Sequence, residues 1–257
     1  MRADLYLFTS GHTKSRQKAK SLIENSCVKI DNMNITKPSF EVDDTIEHSV
    51  EIVDSCLYVS RGGLKLEAII KHESIDVKNK VCLDIGASTG GFTDCLLQNG
   101  AKLVYAVDSG TNQLDLKLKN NDKVISIEGF NARNITFDVL NNKPDIVTID
   151  VSFISQTLIM PSALDLLDDE GVYLSLIKPQ FEVGKANIGK GGIVKDKIAR
   201  KNAILRVIEC AKSKGFNCTS LIKSPIFGGD GNIEYLAVFK KCNNSVSDEE
   251  IKKIINS

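Results

Sequence analysis

The sequence predicts an α/β fold: an open, mostly parallel sheet with an antiparallel last strand, preceded by a small α+β domain. From about residue 66 onward, strand-length apolar runs alternate with helical patterns. Such alternation is typical of a parallel sheet with helices on both faces. The last two apolar runs are joined only by the loop SPIFGGDGNI, which is too short for a crossover helix. These two strands are therefore predicted to be antiparallel neighbours.

The size and composition of the chain agree with this organisation. A length of 257 residues suits one α/β domain plus a small additional domain. With 33 basic and 33 acidic residues, the chain has no net charge that would attract nucleic acid. Binding of a nucleic acid would therefore depend on local clusters of basic residues. No apolar run approaches the roughly 20 residues of a membrane span, and the N-terminus lacks the apolar core of a secretory signal. We therefore expect a cytoplasmic protein without a membrane partner.

The first 55 residues predict a compact α+β module. A short helix ends at Gly11, and Ser15 is placed to cap a second helix over residues 16–24. Short apolar segments near residues 28–30 and 45–53 predict small strands. The predicted domains are a small domain over residues 1–55, a linker over 56–65, a larger domain over 66–242 and a C-terminal tail over 243–257.

Basic side chains crowd the first half of this module. Four of them lie between Lys14 and Lys20, at the start of the second helix. Clustered cations are typical of a phosphate-contacting surface, although a solvated surface can have the same composition. The candidate nucleic-acid-contacting residues are Arg2, Lys14, Arg16, Lys18 and Lys20, together with Arg61 in the linker.

The larger domain is predicted to begin with a helix after the linker and then to alternate between strands and helices. The predicted helices cover residues 66–71, 92–99 and most of 193–214. The predicted strands cover residues 81–85, 103–107, 124–127, 145–149, 172–177, 218–222 and 234–239.

A glycine-rich turn follows the first of these strands, in the segment LDIGASTGGFTD. In an open α/β sheet, such a turn forms a nucleotide-type pocket at the carboxyl end of the strand. Asp84 argues against a phosphate ligand, because it would repel a pyrophosphate beside the turn. A ligand with a cation and hydroxyl groups, such as S-adenosylmethionine, fits better.

Asp108 ends the second strand, where an acidic side chain can bind ribose hydroxyls. This position alone is equally compatible with a nicotinamide cofactor. The glycines favour the methyl donor, because Gly86, Gly90 and Gly91 have the spacing G-x-x-x-G-G rather than G-x-G-x-x-G. The alternative is that Asp84 and Asp108 only cap helices.

Four charged residues stand at the ends of apolar segments. Asp150 and Lys178 end the fourth and fifth strands, Lys65 lies in the linker, and Glu234 opens the last strand. An ammonium held near carboxylates could orient a hydroxyl group and stabilise its developing negative charge during methyl transfer. A structural ion-pair network is the alternative. The three histidines share no spacing, so we expect no metal site.

Five segments in order carry a resemblance over nearly the whole chain: LYVSRGGLKL, LDIGASTGGFTD, VTIDVSFIS, LIKPQFEVGK and GNIEYLAVF. Together they resemble the TlyA (haemolysin A) family of ribosomal RNA 2′-O-methyltransferases, whose catalytic domain is of the FtsJ type. The N-terminal SRQKAKSLI resembles the S-four RNA-binding domain. The resemblance implies a Rossmann-like methyltransferase sheet preceded by a small α+β RNA-binding domain.

The resemblance also implies functional residues. The family's Lys-Asp-Lys-Glu tetrad falls on Lys65, Asp150, Lys178 and Glu234. The implied S-adenosylmethionine pocket comprises Asp84, Gly86, Ala87, Ser88, Gly90, Gly91, Phe92 and Asp108, with Asn131 near the adenine. The chain departs from the family at Asn25-Ser26 and Asp31-Asn32, which replace a glycine after the second helix and an Asn-Gly hairpin. Asparagine and aspartate tolerate left-handed conformations, so the fold is compatible with both changes.

The implied activity is S-adenosylmethionine-dependent 2′-O-methylation of ribose, on cytidine, with ribosomal RNA or ribosomal subunits as partners. Two alternatives remain open. A membrane-active haemolysin is suggested by the older family name, but the sequence has no spanning or strongly amphipathic segment. A non-catalytic RNA-binding assembly factor would bind the same partners without turnover.

Overall fold

The computed structural model describes residues 1–24, 27–52, 57–228 and 231–257. These residues divide into two compact units, Met1–Arg61 and Gly62–Ser257. The division falls inside the predicted linker, whose first residue, Cys56, lies outside the described residues. Asn25, Ser26 and the end of the predicted strand 45–53 also lie outside them.

The first unit is an α+β module, as its sequence pattern predicts. It contains the helices α1 (Ala3–Thr9) and α2 (Arg16–Glu24) and the strands β1 (Val28–Ile30), β2 (Met33–Asn34) and β3 (Val50–Ile52). The central strand β1 pairs antiparallel with both others. Ser15 caps α2 by accepting a hydrogen bond of 3.1 Å from the backbone N–H of Lys18.

The hairpin between β1 and β2 turns at Asp31 and Asn32. Its two turn residues, Asp31 and Asn32, have φ angles of 51° and 62°. Positive φ at both central residues is the requirement of a two-residue type I′ turn, which matches the twist of the flanking strands. Asp31 and Asn32 therefore supply the left-handed geometry that this turn requires.

The second unit contains seven strands and seven α-helices among the residues described. The strands are β4 (Val81–Ile85), β5 (Leu103–Val107), β6 (Val124–Ile127), β7 (Ile146–Ile149), β8 (Val172–Ile177), β9 (Asn217–Lys223) and β10 (Tyr235–Lys240). The helices are α3 (Gly62–His72), α4 (Gly91–Gln98), α5 (Leu116–Lys119), α6 (Met160–Leu164), α7 (Pro179–Glu182), α8 (Lys197–Lys212) and α9 (Asp248–Asn256).

The sheet has the order β6-β5-β4-β7-β8-β10-β9. The five strands β6, β5, β4, β7 and β8 are parallel, and β10 runs antiparallel between β8 and β9. The prediction of a mostly parallel, Rossmann-like sheet with antiparallel last strands is confirmed. The chain leaves the central strand β4 in one direction towards β6 and returns on its other side at β7. Ligands of such sheets bind at this reversal, outside the carboxyl ends of the strands.

The strand register brings three predicted site residues to that same edge. Ile85 of β4 lies opposite Ile149 of β7. Tyr235 of β10 lies opposite Ile177 of β8. Asp150 and Lys178 therefore leave their strands, and Glu234 enters its strand, at one edge of the sheet.

The C-terminal residues 243–257, expected as a tail, contain the helix α9. Ser247 and Glu250 form a capping box at its start. Ile251 and Ile255 on its inner face are buried in the core of the second unit. Within the described residues, no helix has both the length and the apolar character needed to cross a membrane.

Candidate active site

Two ion pairs combine the four charged residues that the sequence singles out. The ammonium of Lys65 donates to Glu234 Oε2 at 2.5 Å, and the two side chains are 11% and 2% exposed. The ammonium of Lys178 contacts the carboxylate of Asp150 and donates to the hydroxyl of Ser152 at 3.0 Å. Charges this far removed from water are tolerated only when they are paired.

Local structure explains how each pair forms. Lys65 lies on the buried face of α3 beside Leu66 and Ile69, so its side chain extends towards the sheet. Asp150 remains part of the sheet edge, because its backbone N–H donates to Ile85 O at 2.9 Å. Lys178 is the N-cap residue of α7, directly after β8.

The glycine turn packs directly against Asp150. Gly86 has a φ of 83°, and a Cβ atom on it would overlap the carbonyl oxygen of Asp150. Only glycine meets both demands, a left-handed backbone and close approach to a main-chain oxygen. The turn and the Lys178–Asp150 pair are thus parts of one crevice.

We expect Gly86→Ala to lower the free energy of unfolding by about 3 kcal/mol, from left-handed strain plus overpacking. Gly215→Ala is the matched control: Gly215 has a φ of 80°, and a Cβ atom added to it would meet no atom within 4 Å. This control should lower the free energy of unfolding through left-handed strain alone, by about 1 kcal/mol. Urea unfolding of both variants measures the difference, and equal losses would contradict the packing argument.

Asp108 has the geometry of a ribose-binding carboxylate. Its Oδ2 accepts the backbone N–H of Ser88 at 2.8 Å, and its Oδ1 accepts that of Gly110 at 2.7 Å. A carboxylate can accept about four hydrogen bonds, so two positions remain for the hydroxyls of a ribose. These residues therefore fit the sugar of S-adenosylmethionine.

The other residues of the predicted donor pocket surround the same turn. Gly90, with a φ of 97°, is the N-cap of α4, and Gly91 and Phe92 open that helix. Ala87 donates its N–H to Val107 O at 3.1 Å, which joins the turn to the end of β5.

Asn131 follows a second loop that reaches this edge. Phe130 donates its N–H to Asp108 O at 3.0 Å, so the loop runs beside Asp108. The side chain of Asn131 accepts the backbone N–H of Arg133 at 3.2 Å and caps a short 3₁₀ helix.

Asp84 does not face the crevice. Its side chain is fully buried and accepts hydrogen bonds from Thr93 Oγ1 at 2.7 Å and Thr148 Oγ1 at 2.9 Å. Burial raises the pKa of this carboxyl from 3.8 to about 6, and the nearby charge of Asp150 acts in the same direction. The structure thus places Asp84 between β4, α4 and β7, where it supports the turn from behind.

Two of the predicted RNA-contacting residues have a structural role in the first unit. Arg2 and Arg16 each donate from Nε to the buried carboxylate of Asp4, both at 2.9 Å. The hydrogen bond from Arg2 is the largest cause that lowers the pKa of Asp4 to about 2. Lys14, Lys18 and Lys20 are exposed, and Arg61 is the last residue of the unit.

Sequence reasoning missed several residues at the site. Gln113 accepts a hydrogen bond of 3.2 Å from the hydroxyl of Ser88, at the mouth of the donor pocket. Ser152 holds Lys178, as described above. Phe153 is 93% exposed with a φ of 64°, and its ring lies 5.3 Å from that of Phe181. Left-handed strain in a non-glycine residue clusters at functional sites, but no residue pattern announces it.

Comparison with known proteins finds relatives along most of the chain. The family model of FtsJ-like methyltransferases matches residues 58–241. Hemolysin A of Brachyspira hyodysenteriae is 46% identical over 244 residues, which cover 93% of this chain and 99% of that protein. The 16S/23S rRNA (cytidine-2′-O)-methyltransferase TlyA of Mycobacterium tuberculosis is 38% identical, over 91% of this chain and 87% of that protein. A solved structure from Streptococcus thermophilus is 41% identical, with a TM-score of 0.77 and coverage of 100% and 94% of the two chains.

Proposed function

Because the chain belongs to the FtsJ-like methyltransferase family, we propose that it methylates the 2′-hydroxyl of ribose, on cytidine, in ribosomal RNA. S-adenosylmethionine is the methyl donor. The observation that carries the proposal is the pair formed by Lys178 and Asp150, which stands against the glycine turn at the sheet reversal. Relatives named as rRNA (cytidine-2′-O)-methyltransferases supply the substrate class.

The chemistry requires the weakly acidic 2′-hydroxyl to become a nucleophile. Its oxygen forms a bond to the methyl carbon as the bond between sulfur and that carbon breaks, and its proton passes to the solvent. S-adenosylmethionine supplies an electrophilic methyl group when it is bound. Lys178, held by Asp150 and Ser152, is placed to orient the 2′-hydroxyl and to stabilise negative charge on its oxygen. Asp150 holds the ammonium in position through their ion pair. In this proposal, the buried Lys65–Glu234 pair forms the opposite wall of the crevice.

The donor pocket in this proposal is the turn from Gly86 to Phe92 together with Asp108. Asp108 binds the ribose hydroxyls and is held by the backbone N–H of Ser88. Gly90 and Gly91 allow the main chain to approach the ligand. Asn131 lies on the neighbouring loop, beside the position of the adenine. Asp84 acts indirectly, because its side chain is fully buried and contacts Thr93 and Thr148 in the interior rather than the crevice.

Phe153 is a natural contact for the target nucleotide. It stands three residues after Asp150, fully presented to solvent and supported from one side by Phe181. Enzymes that modify structured RNA splay bases out and stack them on aromatic rings. We place the target cytosine against this ring.

The first unit is proposed to hold the RNA through its exposed lysines, as an S-four-type domain. Lys14 and Lys18 are exposed, with no ion-pair partner among the residues described. Replacing both with alanine should reduce the slope of log affinity against log salt by about 2, because each phosphate contact contributes about one.

This salt dependence is measured by filter binding of a ribosomal RNA fragment. The matched control is Lys102→Ala with Lys123→Ala. It removes the same charge from the second unit, at the amino ends of β5 and β6 and away from the predicted ligand edge. An unchanged slope in the Lys14/Lys18 variant would exclude these two residues from the RNA contact.

Mapping of ribose methylation by mass spectrometry, in ribosomal RNA from cells with and without this protein, tests the proposed activity. We expect at least one 2′-O-methylcytidine that depends on the protein and is restored by purified protein with S-adenosylmethionine. Naked RNA and assembled subunits are compared as substrates. Tight RNA binding with no methylation of either substrate would favour a non-catalytic assembly factor. Action on ribosomal RNA would also place the protein in the cytoplasm.

A further inference from the structure

The loop that carries Asp150 is joined to the segment that carries Lys178 at several successive points. The contacts are Lys178 Nζ to Ser152 Oγ at 3.0 Å, the rings of Phe153 and Phe181 at 5.3 Å, Ser155 Oγ to Glu182 Oε2 at 2.5 Å, and Gln156 N to Glu182 Oε1 at 2.9 Å. We call these four contacts the loop bracket. The bracket lies wholly within the second unit.

Glu182 is the buried end of the loop bracket. It is the last residue of α7, only 4% of it is exposed, and both of its carboxylate oxygens accept hydrogen bonds from the loop. Burial raises its pKa, while the hydrogen bonds from Ser155 and Gln156 oppose that rise. A carboxylate is costly to bury without such partners, so the loop and the carboxylate depend on each other.

Gln156 extends the bracket into the sheet. Its side chain accepts the hydroxyl of Ser175 at 2.5 Å and donates to Leu176 O at 3.4 Å. Glu182 is itself fixed from behind, because Arg206 of α8 donates to its main-chain oxygen at 3.0 Å. The loop therefore has a rigid anchor at residues 155–156, close after the strained Phe153.

We infer that Glu182 is a positioning residue for methyl transfer, which fixes the loop so that Asp150 and Phe153 keep their places. This inference rests on the proposed function. The carboxylate of Glu182 is bonded to Ser155 and Gln156, so its influence on the Lys178–Asp150 pair passes through the loop. The strained φ of Phe153 persists only while its surroundings hold it.

A mobility measurement tests the positioning role independently of catalysis. The chain has no tryptophan, so Phe153→Trp introduces a single tryptophan in the loop, which is excited at a wavelength where the five tyrosines absorb little. In that background, Glu182→Ala should increase the rapidly decaying part of the fluorescence anisotropy at least about twofold. Glu209→Ala, which removes an exposed acid from α8, should leave it unchanged. An identical decay in the Glu182→Ala protein would overturn the inference.

Kinetics with native Phe153 test the consequence. Displacement of a reacting group by about 1 Å costs about 100-fold in rate, so kcat of Glu182→Ala should fall 10- to 100-fold. The KM for S-adenosylmethionine should stay within twofold, because the donor pocket is built on β4 and β5. Glu182→Gln keeps an acceptor for the N–H of Gln156 and should restore most of the rate.

The outcomes are separable. If Glu182→Ala does not fold, Ser155→Ala decides, because it removes the hydrogen bond to Glu182 Oε2, and wild-type kcat and anisotropy in that variant would overturn the inference. A lower kcat without any change in anisotropy would also overturn it, because the effect would then bypass the loop. If the wild type methylates no ribosomal RNA, the proposed function fails, whereas the anisotropy still reports whether Glu182 holds the loop.

Discussion

Replacement of Lys178 with methionine is expected to lower the rate of methyl transfer by about 10³-fold. Methionine keeps most of the length of the side chain but removes the ammonium that contacts Asp150 and donates to Ser152. The 2′-hydroxyl would lose the cation that orients it and stabilises its developing charge. Asp150 would also lose its ion-pair partner at the crevice.

Incorporation of tritium from labelled S-adenosylmethionine into ribosomal subunits measures this loss. Lys214→Met is the matched control, because Lys214 pairs with Asp165 at 2.7 Å in an exposed surface ion pair. Such pairs contribute little, so this control should methylate like the wild type.

Calorimetric binding of S-adenosylmethionine should be unchanged in both variants. Equal incorporation by the wild type and Lys178→Met would remove Lys178 from catalysis. The two ion pairs would then be a structural network, which is the alternative that the sequence leaves open.

The strands of the second unit could be predicted almost to the residue. The predicted strands over residues 81–85, 103–107 and 124–127 match β4, β5 and β6. Apolar runs rich in β-branched residues and bounded by polar residues define both the type and the ends of a strand. The helices α5, α6 and α7 have four or five residues each, which is too short to show a helical period. The start of α9 does carry a local signal, the capping-box spacing of Ser247 and Glu250, although residues 243–257 are predicted above as a tail.

The site could be predicted as a set of residues but not as contacts. Acids and lysines at strand ends indicate the ligand edge in any open α/β sheet. The pairing between the lysines and the acids depends on the strand register and on the direction of α3. The local sequence predicts neither of these. Within the loop bracket, Glu182 contacts Gln156 and Ser155, which precede it by 26 and 27 positions in the sequence. A single sequence contains no pattern that predicts such a distant pairing.

Asp84 shows why a residue's place in a strand matters. The sequence analysis places Asp84 beside the pocket, although the predicted strand 81–85, like β4, continues for one further residue to Ile85. A side chain within a strand points to a face of the sheet rather than past its end. The face that Asp84 occupies is covered by α4, whose Thr93 donates to it.

Replacement of Asp84 with asparagine is expected to increase stability at pH 7 by about 3 kcal/mol, at 1.36 kcal/mol for each unit of pKa shift. The pKa of this carboxyl rises from 3.8 to about 6 on folding, because burial disfavours the charged form. The folded state therefore binds more protons than the unfolded state between these values. Stability from this group is complete below pH 3.8 and is lost as the pH rises through about 6.

Asparagine should remove this titration and keep both contacts. One threonine can donate to the amide oxygen, while the other accepts from the amide nitrogen. Urea unfolding at several pH values should show a wild-type curve that falls between pH 4 and 6 relative to that of Asp84→Asn. Asp138 lies on the exposed surface, so the stability of Asp138→Asn should vary with pH in parallel with that of the wild type.

The same variant separates the two roles open to this acid. If Asp84 supports the turn from the interior, Asp84→Asn should bind S-adenosylmethionine within about threefold of the wild type, because the shape of the turn persists. A carboxylate that contacted the donor directly would instead lose charge-assisted hydrogen bonds, each worth about 1.5–3 kcal/mol, and affinity would fall at least tenfold. Parallel unfolding curves together with such a loss would place Asp84 at the ligand, against the burial and the two threonine contacts that the structure gives it.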